Sequence, residues 1–222
     1  MSEKNNDLED ALKVLAFNDS AAKDLLNEYM VLLFQWHEKN NILSTRDIKY
    51  FIQRDLFDSL SMLKYLPDGH LLDVGTGAGI PGILISFYRP YSKITLLDRR
   101  DNAIRFLEHA KLKLNLNNVT IIKSDAKKMN IEDTPKAVLI KNFSNKIISK
   151  LGFEDKLIHI ISMIRERIAI ETPIYMLTGS PALQLNNLSS DFKDISRSTF
   201  QVKKIITPYF STNRYLVVIN HV

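Results

Sequence analysis

Three glycines at alternate positions, Gly75, Gly77 and Gly79, follow the apolar run Leu71–Val74, and Pro81 and Gly82 come directly after them. Glycine tolerates backbone angles closed to other residues and lets a ligand approach the main chain closely. Three carboxylates accompany the loop: Asp73 inside the apolar run, Asp98, 23 positions after Gly75, and Asp125 further on. The spacing of Asp98 is close to that of an acid that holds a ribose hydroxyl pair. A carboxylate accepts two hydrogen bonds from such a diol and repels a phosphate, which favours a nucleoside over a 2′-phosphorylated cofactor. Asp125 has two readings, a partner for an adenine amino group or a cap for the segment after its strand. Ile80 also has two, packing on an adenosine or packing only on the sheet.

Three explanations of the loop compete. A dinucleotide needs bare N–H groups at a helix N-terminus for its pyrophosphate, but the G-x-G-x-x-G spacing is met only by starting at Gly77 and running to Gly82. That is two residues later than the strand end suggests. S-adenosylmethionine (SAM) carries no phosphate; its sulfonium and ammonium are cations, which suits a loop with Asp73 beside it. Tight strand–helix packing without any ligand is the third. The pattern "DVGTGAG" with Asp98 and a C-terminal hairpin resembles the class of Rossmann-like SAM-dependent methyltransferases.

A loop of this kind needs a strand before it and a helix after it. Leu71–Val74 reads as the strand, and Pro81 fits the first turn of a helix running to about Tyr88. Strands are then expected at Lys93–Asp98, Val119–Asp125, Lys136–Asn142 and Thr172–Gly179, with amphipathic helices at "RDNAIRFLEHAKLKLN" and about Phe153–Ala169. "QVKKIITP" and "RYLVVINHV", joined by a turn around Ser211–Asn213, must pair antiparallel, because a parallel crossover needs a dozen or more residues. Before residue 70 the periodicity is helical throughout. Leu25, Leu26, Tyr29, Met30, Leu33 and Trp36 form one face, with Ser20 as the expected N-cap, and Thr45–Leu66 reads as one or two further helices. The expected fold is α/β: a helical N-terminal cap over residues 1–66, then a Rossmann-like, mainly parallel sheet ending in an antiparallel hairpin over 67–222.

Composition narrows the class. Apolar residues make up 45% and charged residues 25% of the 222, as in ordinary globular proteins. No apolar run is long enough for a membrane span, and the polar N-terminus "MSEKNNDLED" is unlike a targeting segment. With no cysteine, disulfides and thiolate metal sites are excluded; the five histidines show no metal-ligand spacing, so no metal is expected. A cytoplasmic location is the expectation. The net charge of +5 is uneven: residues 1–135 carry 18 Lys+Arg against 19 Asp+Glu, and residues 136–222 carry 12 against 6. A basic final third suits either a polyanion such as RNA or a plain solvated surface.

The flanks of the glycine loop narrow the match further. "NILSTRD" (Asn41–Asp47), "RDLFDSL" (Arg54–Leu60), "LLDVGTGAGIPGILISFYRP" (Leu71–Pro90), "ITLLD" and "RFLEHAKLKLNLNNV" occur in that order, with weaker echoes in "VLIKNF" and "RYLVVI". This series resembles the bacterial small-subunit rRNA guanine-N7 methyltransferase family known as RsmG or GidB. The resemblance implies SAM as cofactor and methyl transfer to N7 of one guanine in the decoding-region loop of 16S rRNA. It also implies cofactor contacts from Gly75, Ile80, the Ala126–Lys127 pair and Lys141. The sequence departs from the family pattern at four places. Lys127 stands for an acid, Lys141 for an arginine, Thr178 for a lysine and Asp55 for a histidine.

Guanine N7 has a lone pair and no proton at neutral pH, so attack there needs no general base, and no catalytic acid or base is assigned. The task left to the protein is to bring N7 to about 3 Å from the methyl, in line with the departing sulfur. Lys141, Asn142 and Phe143, at the carboxyl end of the fourth strand, are the candidates for positioning the substrate. Arg46, Arg54, Lys141 and Arg214 are the candidates for RNA contact. Other RNA or small-molecule substrates, and a non-catalytic RNA- or ribosome-binding role, are the alternatives a fold alone does not separate.

Overall fold

The computed structural model describes residues 2–45, 47–143, 150–187 and 198–221. A seven-stranded sheet runs in the order β3-β2-β1-β4-β5-β7-β6. Its strands are β1 (Leu71–Val74), β2 (Ile94–Asp98), β3 (Val119–Lys123), β4 (Ala137–Lys141), β5 (Ile174–Thr178), β6 (Ser198–Ile205) and β7 (Arg214–His221). The first five are parallel, β7 pairs antiparallel with β5, and β6 pairs antiparallel with β7. This is the expected sheet with its terminal hairpin, and β1 is the middle one of the five parallel strands, where the strand order reverses.

Alternation along the strands sorts the apolar residues into two layers. Leu71, Ile94, Leu96, Ala137 and Leu139 face α1 (Ser2–Val14), α2 (Ser20–Asn40), α5 (Gly82–Tyr88) and α6 (Asp101–Lys113). Leu72, Val74, Leu97, Val138 and Ile140 face the other way, onto Leu157, Ile160, Ile161 and Ile164 of α7 (Phe153–Arg165). One core therefore joins the N-terminal helices to the sheet, from Leu8, Leu26 and Phe51 through to Leu96 and Leu216. By the same alternation Asp73, Asp98 and Lys141, at the ends of β1, β2 and β4, belong to the face that the helical cap covers.

The cap differs from expectation in two details. Asp19, not Ser20, is the N-cap of α2: its Oδ1 accepts from the Ala22 N–H at 3.0 Å. An aspartate one residue earlier supplies the same acceptor, so the helix starts at Ser20. Thr45–Leu66 resolves into α3 (Ile48–Phe51), a π-helical turn (Ile52–Leu56) and α4 (Phe57–Ser61), followed by a 3₁₀ turn at Leu63–Tyr65. A π turn adds a residue to the helical repeat and shifts the faces that follow. Here Asp55 and Asp58 both lie inside. Further on, α7 ends at Arg165, short of Ala169, and the β6–β7 connection is the longer 206–213.

Among the described residues, no helix is long and apolar enough to cross a membrane.

Candidate active site

The loop after β1 owes its shape to hydrogen bonds as well as to its glycines. Gly75, Gly77 and Gly79 have φ of +72°, +62° and +88°, in the left-handed region that L side chains resist. Asp73 Oδ2 accepts from Thr76 Oγ1 at 2.6 Å and from the Gly82 N–H at 2.8 Å, closing the loop on both sides. From the cap, Tyr29 of α2 donates its hydroxyl to the Ala78 carbonyl at 2.7 Å. Burial pushes the Asp73 carboxyl up to about 6, although Thr76, Gly82 and Lys141 pull it back. Asp73 thus serves the loop itself, and it is almost wholly buried.

Asp98 lies beside this loop. Its Oδ2 accepts from the Gly77 N–H at 2.9 Å, and its Oδ1 accepts from the Arg100 N–H at 2.9 Å. The Arg100 guanidinium adds Nε to Oδ1 at 3.1 Å and Nη2 to Oδ2 at 3.2 Å. Burial raises this carboxyl, but the Arg100 contacts and the Gly77 N–H outweigh it and hold Asp98 below the usual range. Side chains lie on all three glycines, with Ile83 of α5 against Gly79. A Cβ placed on Gly75 would come within 2.5 Å of Phe143 Cδ2, and one on Gly77 within 3.1 Å of Arg100 Nη2.

At the end of β3, Asp125 caps a 3₁₀ turn at Ala126–Lys128 by accepting from the Lys127 N–H at 3.0 Å, and pairs with Arg99 at 3.6 Å. Ala126 is buried, Lys127 is exposed, and Ile80 packs in the core on the cap side. Asp125 thus makes a capping contact and Ile80 a core-packing contact.

A buried charge cluster joins the cap to the ends of β4 and β7 beside the loop. Lys141 Nζ donates to Asp55 Oδ1, with only 4% and 9% of the two side chains exposed. Asp58 Oδ2 accepts from Arg214 Nε at 2.8 Å. Burial raises the Asp58 carboxyl, opposed chiefly by Arg214 and then by Lys141. Arg214 Nη2 is buried with no hydrogen-bond partner among the described residues. The two departures Asp55 and Lys141 therefore touch each other, and Lys141 faces inward. Arg54 donates Nη1 to Tyr50 Oη at 2.8 Å and lies over that ring. Arg46 lies outside the described residues.

Between the ends of β4 and β5 a small cleft of about 90 Å³ is lined by Asn142, Phe143, Lys156, Thr178, Gly179 and Arg214 among others. The structure thus gathers Asp73, Gly75, Gly77, Asp98 and Phe143 at one place, with Asn142, Thr178 and Arg214 next to it. Sequence reasoning missed Tyr29, Arg100 and Lys156. Tyr29 and Lys156 carry no signal beyond helical periodicity, whereas Arg100, two positions after Asp98, is within reach of it in any strand-to-helix turn. No group of three or more His, Asp or Glu among the described residues could hold a metal ion.

A five-strand parallel sheet closed by an antiparallel hairpin, with a glycine loop after the central strand, is the Rossmann-like methyltransferase fold. Solved structures share it. The Bacillus subtilis m1A22 tRNA methyltransferase TrmK superposes with a TM-score of 0.56 at 10% identity, over 77% of this chain and 66% of that one. A putative methyltransferase from Streptococcus mutans in complex with SAH gives 0.50 at 16%, over 77% and 99%. At such identities the likeness concerns the fold alone. Residues 22–152 match the GidB family, described as rRNA small subunit methyltransferase G, and the chain belongs to that family. Ribosomal RNA small subunit methyltransferase G of Ruthia magnifica subsp. Calyptogena magnifica is 37% identical over 119 residues, 54% of this chain and 59% of the relative. That of Legionella pneumophila strain Corby is 38% identical over 104 residues, 47% and 50%. The chain thus spans about half the length of these curated relatives.

Proposed function

We propose that this protein transfers a methyl group from SAM to N7 of a guanine in 16S rRNA, acting in the cytoplasm. The observation that carries the reading is the junction of the Gly75–Gly79 loop with Asp98 across the carboxyl ends of the neighbouring strands β1 and β2. Ligands of open α/β sheets bind outside the carboxyl ends of the strands at such a junction, and the match to a small-subunit rRNA methyltransferase family supports SAM as the ligand. The donor set fits it: main chain without Cβ at Gly75, Gly77 and Gly79, and a carboxylate able to accept two hydrogen bonds from a ribose diol. SAM supplies a methyl already activated on sulfonium sulfur. Phe143 and Arg100 lie over Gly75 and Gly77, so both must move for a ligand to reach the main chain there.

The remaining work is positioning. Asn142, Phe143 and Arg214 line the cleft beside the loop, where the acceptor base would enter. The orphaned Nη2 of Arg214 is free to donate to a nucleotide oxygen, while Asp58 holds the guanidinium through Nε. Lys141 holds the π turn against β4 through Asp55, and we assign it to shaping the site before contacting RNA. Guanine N7 brings its own lone pair, so a site without a general base is sufficient.

Calorimetry with SAM and SAH tests the cofactor, and mass spectrometry of 16S rRNA from a deletion strain and its complemented parent tests the substrate. The expected results are binding of both ligands and loss of one N7-methylguanosine that the complementing gene restores. Failure to bind either ligand refutes the cofactor, and unchanged N7 methylation refutes the substrate.

A further inference from the structure

Asp98 already has a bidentate partner. The Arg100 guanidinium spans both carboxylate oxygens, through Nε to Oδ1 at 3.1 Å and Nη2 to Oδ2 at 3.2 Å, and lies on Gly77. A guanidinium edge and a vicinal diol present the same pattern to a carboxylate: two donors side by side, each aimed at one oxygen. Asp98 is buried apart from this edge, with only 4% of its side chain exposed, and its other acceptor positions are filled by the Gly77 and Arg100 N–H groups. Little of the carboxylate is left for a third partner.

We infer that Arg100 sets the cofactor affinity of the site by competing with the ribose diol for Asp98, and must leave that carboxylate when SAM binds. This rests on the cofactor reading above. Three features make the exchange workable. Arg100 is 58% exposed, so its guanidinium leaves for water and not for the core. Its backbone at the start of α6 is extended and its side chain makes no helix-capping bond, so nothing else depends on its rotamer. The Gly77 and Arg100 N–H bonds to Asp98 remain, keeping the carboxylate oriented while its partner changes. Arg99 pairs more loosely with Asp125, at 3.6 Å with both side chains more than 40% exposed. The consecutive arginines thus engage both Asp98, read as the ribose acid, and Asp125, read as an adenine partner or a cap.

The test is calorimetry on the full chain with SAM, SAH and adenosine, comparing wild type with Arg100→Ala and Arg100→Gln. Loss of an ion pair whose arginine is solvent-exposed predicts tighter binding by ~1.5–5-fold in both variants. The gain is equal for the three ligands, because all present the same diol; a gain confined to SAM would instead indicate repulsion of its sulfonium and would overturn the inference. Salt gives a second readout: between about 50 and 500 mM NaCl the screened ion pair releases Asp98 more easily, so the variants' advantage shrinks. An advantage that does not shrink also counts against the competition. If wild type binds and both variants bind equally or more weakly, the inference falls and the cofactor reading stands. Binding by none of the three proteins removes both.

Discussion

Asp73→Asn separates what the buried carboxylate does for the loop from what its charge does. Both loop bonds, from Thr76 Oγ1 and the Gly82 N–H, end on the single oxygen Oδ2. An asparagine carbonyl accepts both, so the loop keeps its closure while the charge is removed. Burial raises the Asp73 carboxyl from 3.8 to about 6. The native state therefore binds its proton more tightly than the unfolded chain does. Between pH 3.8 and 6 the folded protein holds more protons, so this group's contribution to stability is full below 3.8 and is lost as pH rises through 6. A shift of roughly two units corresponds to about 3 kcal/mol. At pH 7.5 Asp73→Asn should be more stable than wild type by up to about that much, and the gain should vanish below pH 4.

Urea unfolding followed by Trp36 fluorescence measures this directly. Trp36 is the chain's one tryptophan, and its Nε1 donates to Asn102 Oδ1 at 3.0 Å between α2 and α6. Equal slopes with a raised midpoint at pH 7.5 are expected. A carboxylate kept charged against burial also implies a use for the charge, so the variant should bind SAM more weakly than wild type, with a smaller loss for SAH, which lacks the sulfonium. A variant less stable than wild type at pH 7.5, or one with the same pH slope, would refute the reasoning.

Asp98→Ala removes two charge-assisted hydrogen bonds to the proposed ribose and should weaken SAM binding by about 100-fold in calorimetry; unaltered affinity would reject the ribose role. Lys141→Ala leaves the Asp55 carboxylate buried without its partner and should cost about 3–5 kcal/mol in urea unfolding, most of it recovered by adding Asp55→Leu. A double variant as unstable as the single one would mean that Lys141 stabilises by packing and not by charge. Tyr29→Phe leaves the Ala78 carbonyl unpaired at a cost of about 1–3 kcal/mol and should raise the Kd for SAM; a lower melting temperature with unchanged Kd would reduce Tyr29 to core packing.

The parallel sheet and its hairpin were legible because local pattern decides them. Leu71–Val74 and Ala137–Lys141 are apolar runs buried on both faces, and the short 206–213 connection forces antiparallel pairing. The glycine loop was legible because three residues in it require left-handed backbone, and few sequences supply glycine at that spacing without cause. What was not legible lies across long sequence separations. Tyr29 reads as one more apolar-face residue of α2, and only folding brings its hydroxyl to Ala78, 49 residues away. Asp125 was open to two readings because a cap satisfies it as well as a ligand does, and Arg54, read as an RNA contact, is satisfied by a tyrosine. Periodicity does not distinguish those partners.

The departures from the family pattern make the same point more sharply. Taken singly, Asp55 in place of a histidine and Lys141 in place of an arginine look like two losses, one in the cap and one at the end of β4. In the fold they form one buried contact spanning 86 residues. Either charge buried alone would be left without a counter-ion, which is costly in the interior. Together each supplies the charge the other needs. Asp58 and Arg214, 156 residues apart, repeat the arrangement one turn further along the cap. Two ion pairs thus fix the helical cap to the carboxyl end of the sheet beside the glycine loop. The cap is consequently a wall of the site as well as a cover for the core, and a substitution in residues 52–61 should be felt at β4 and β7.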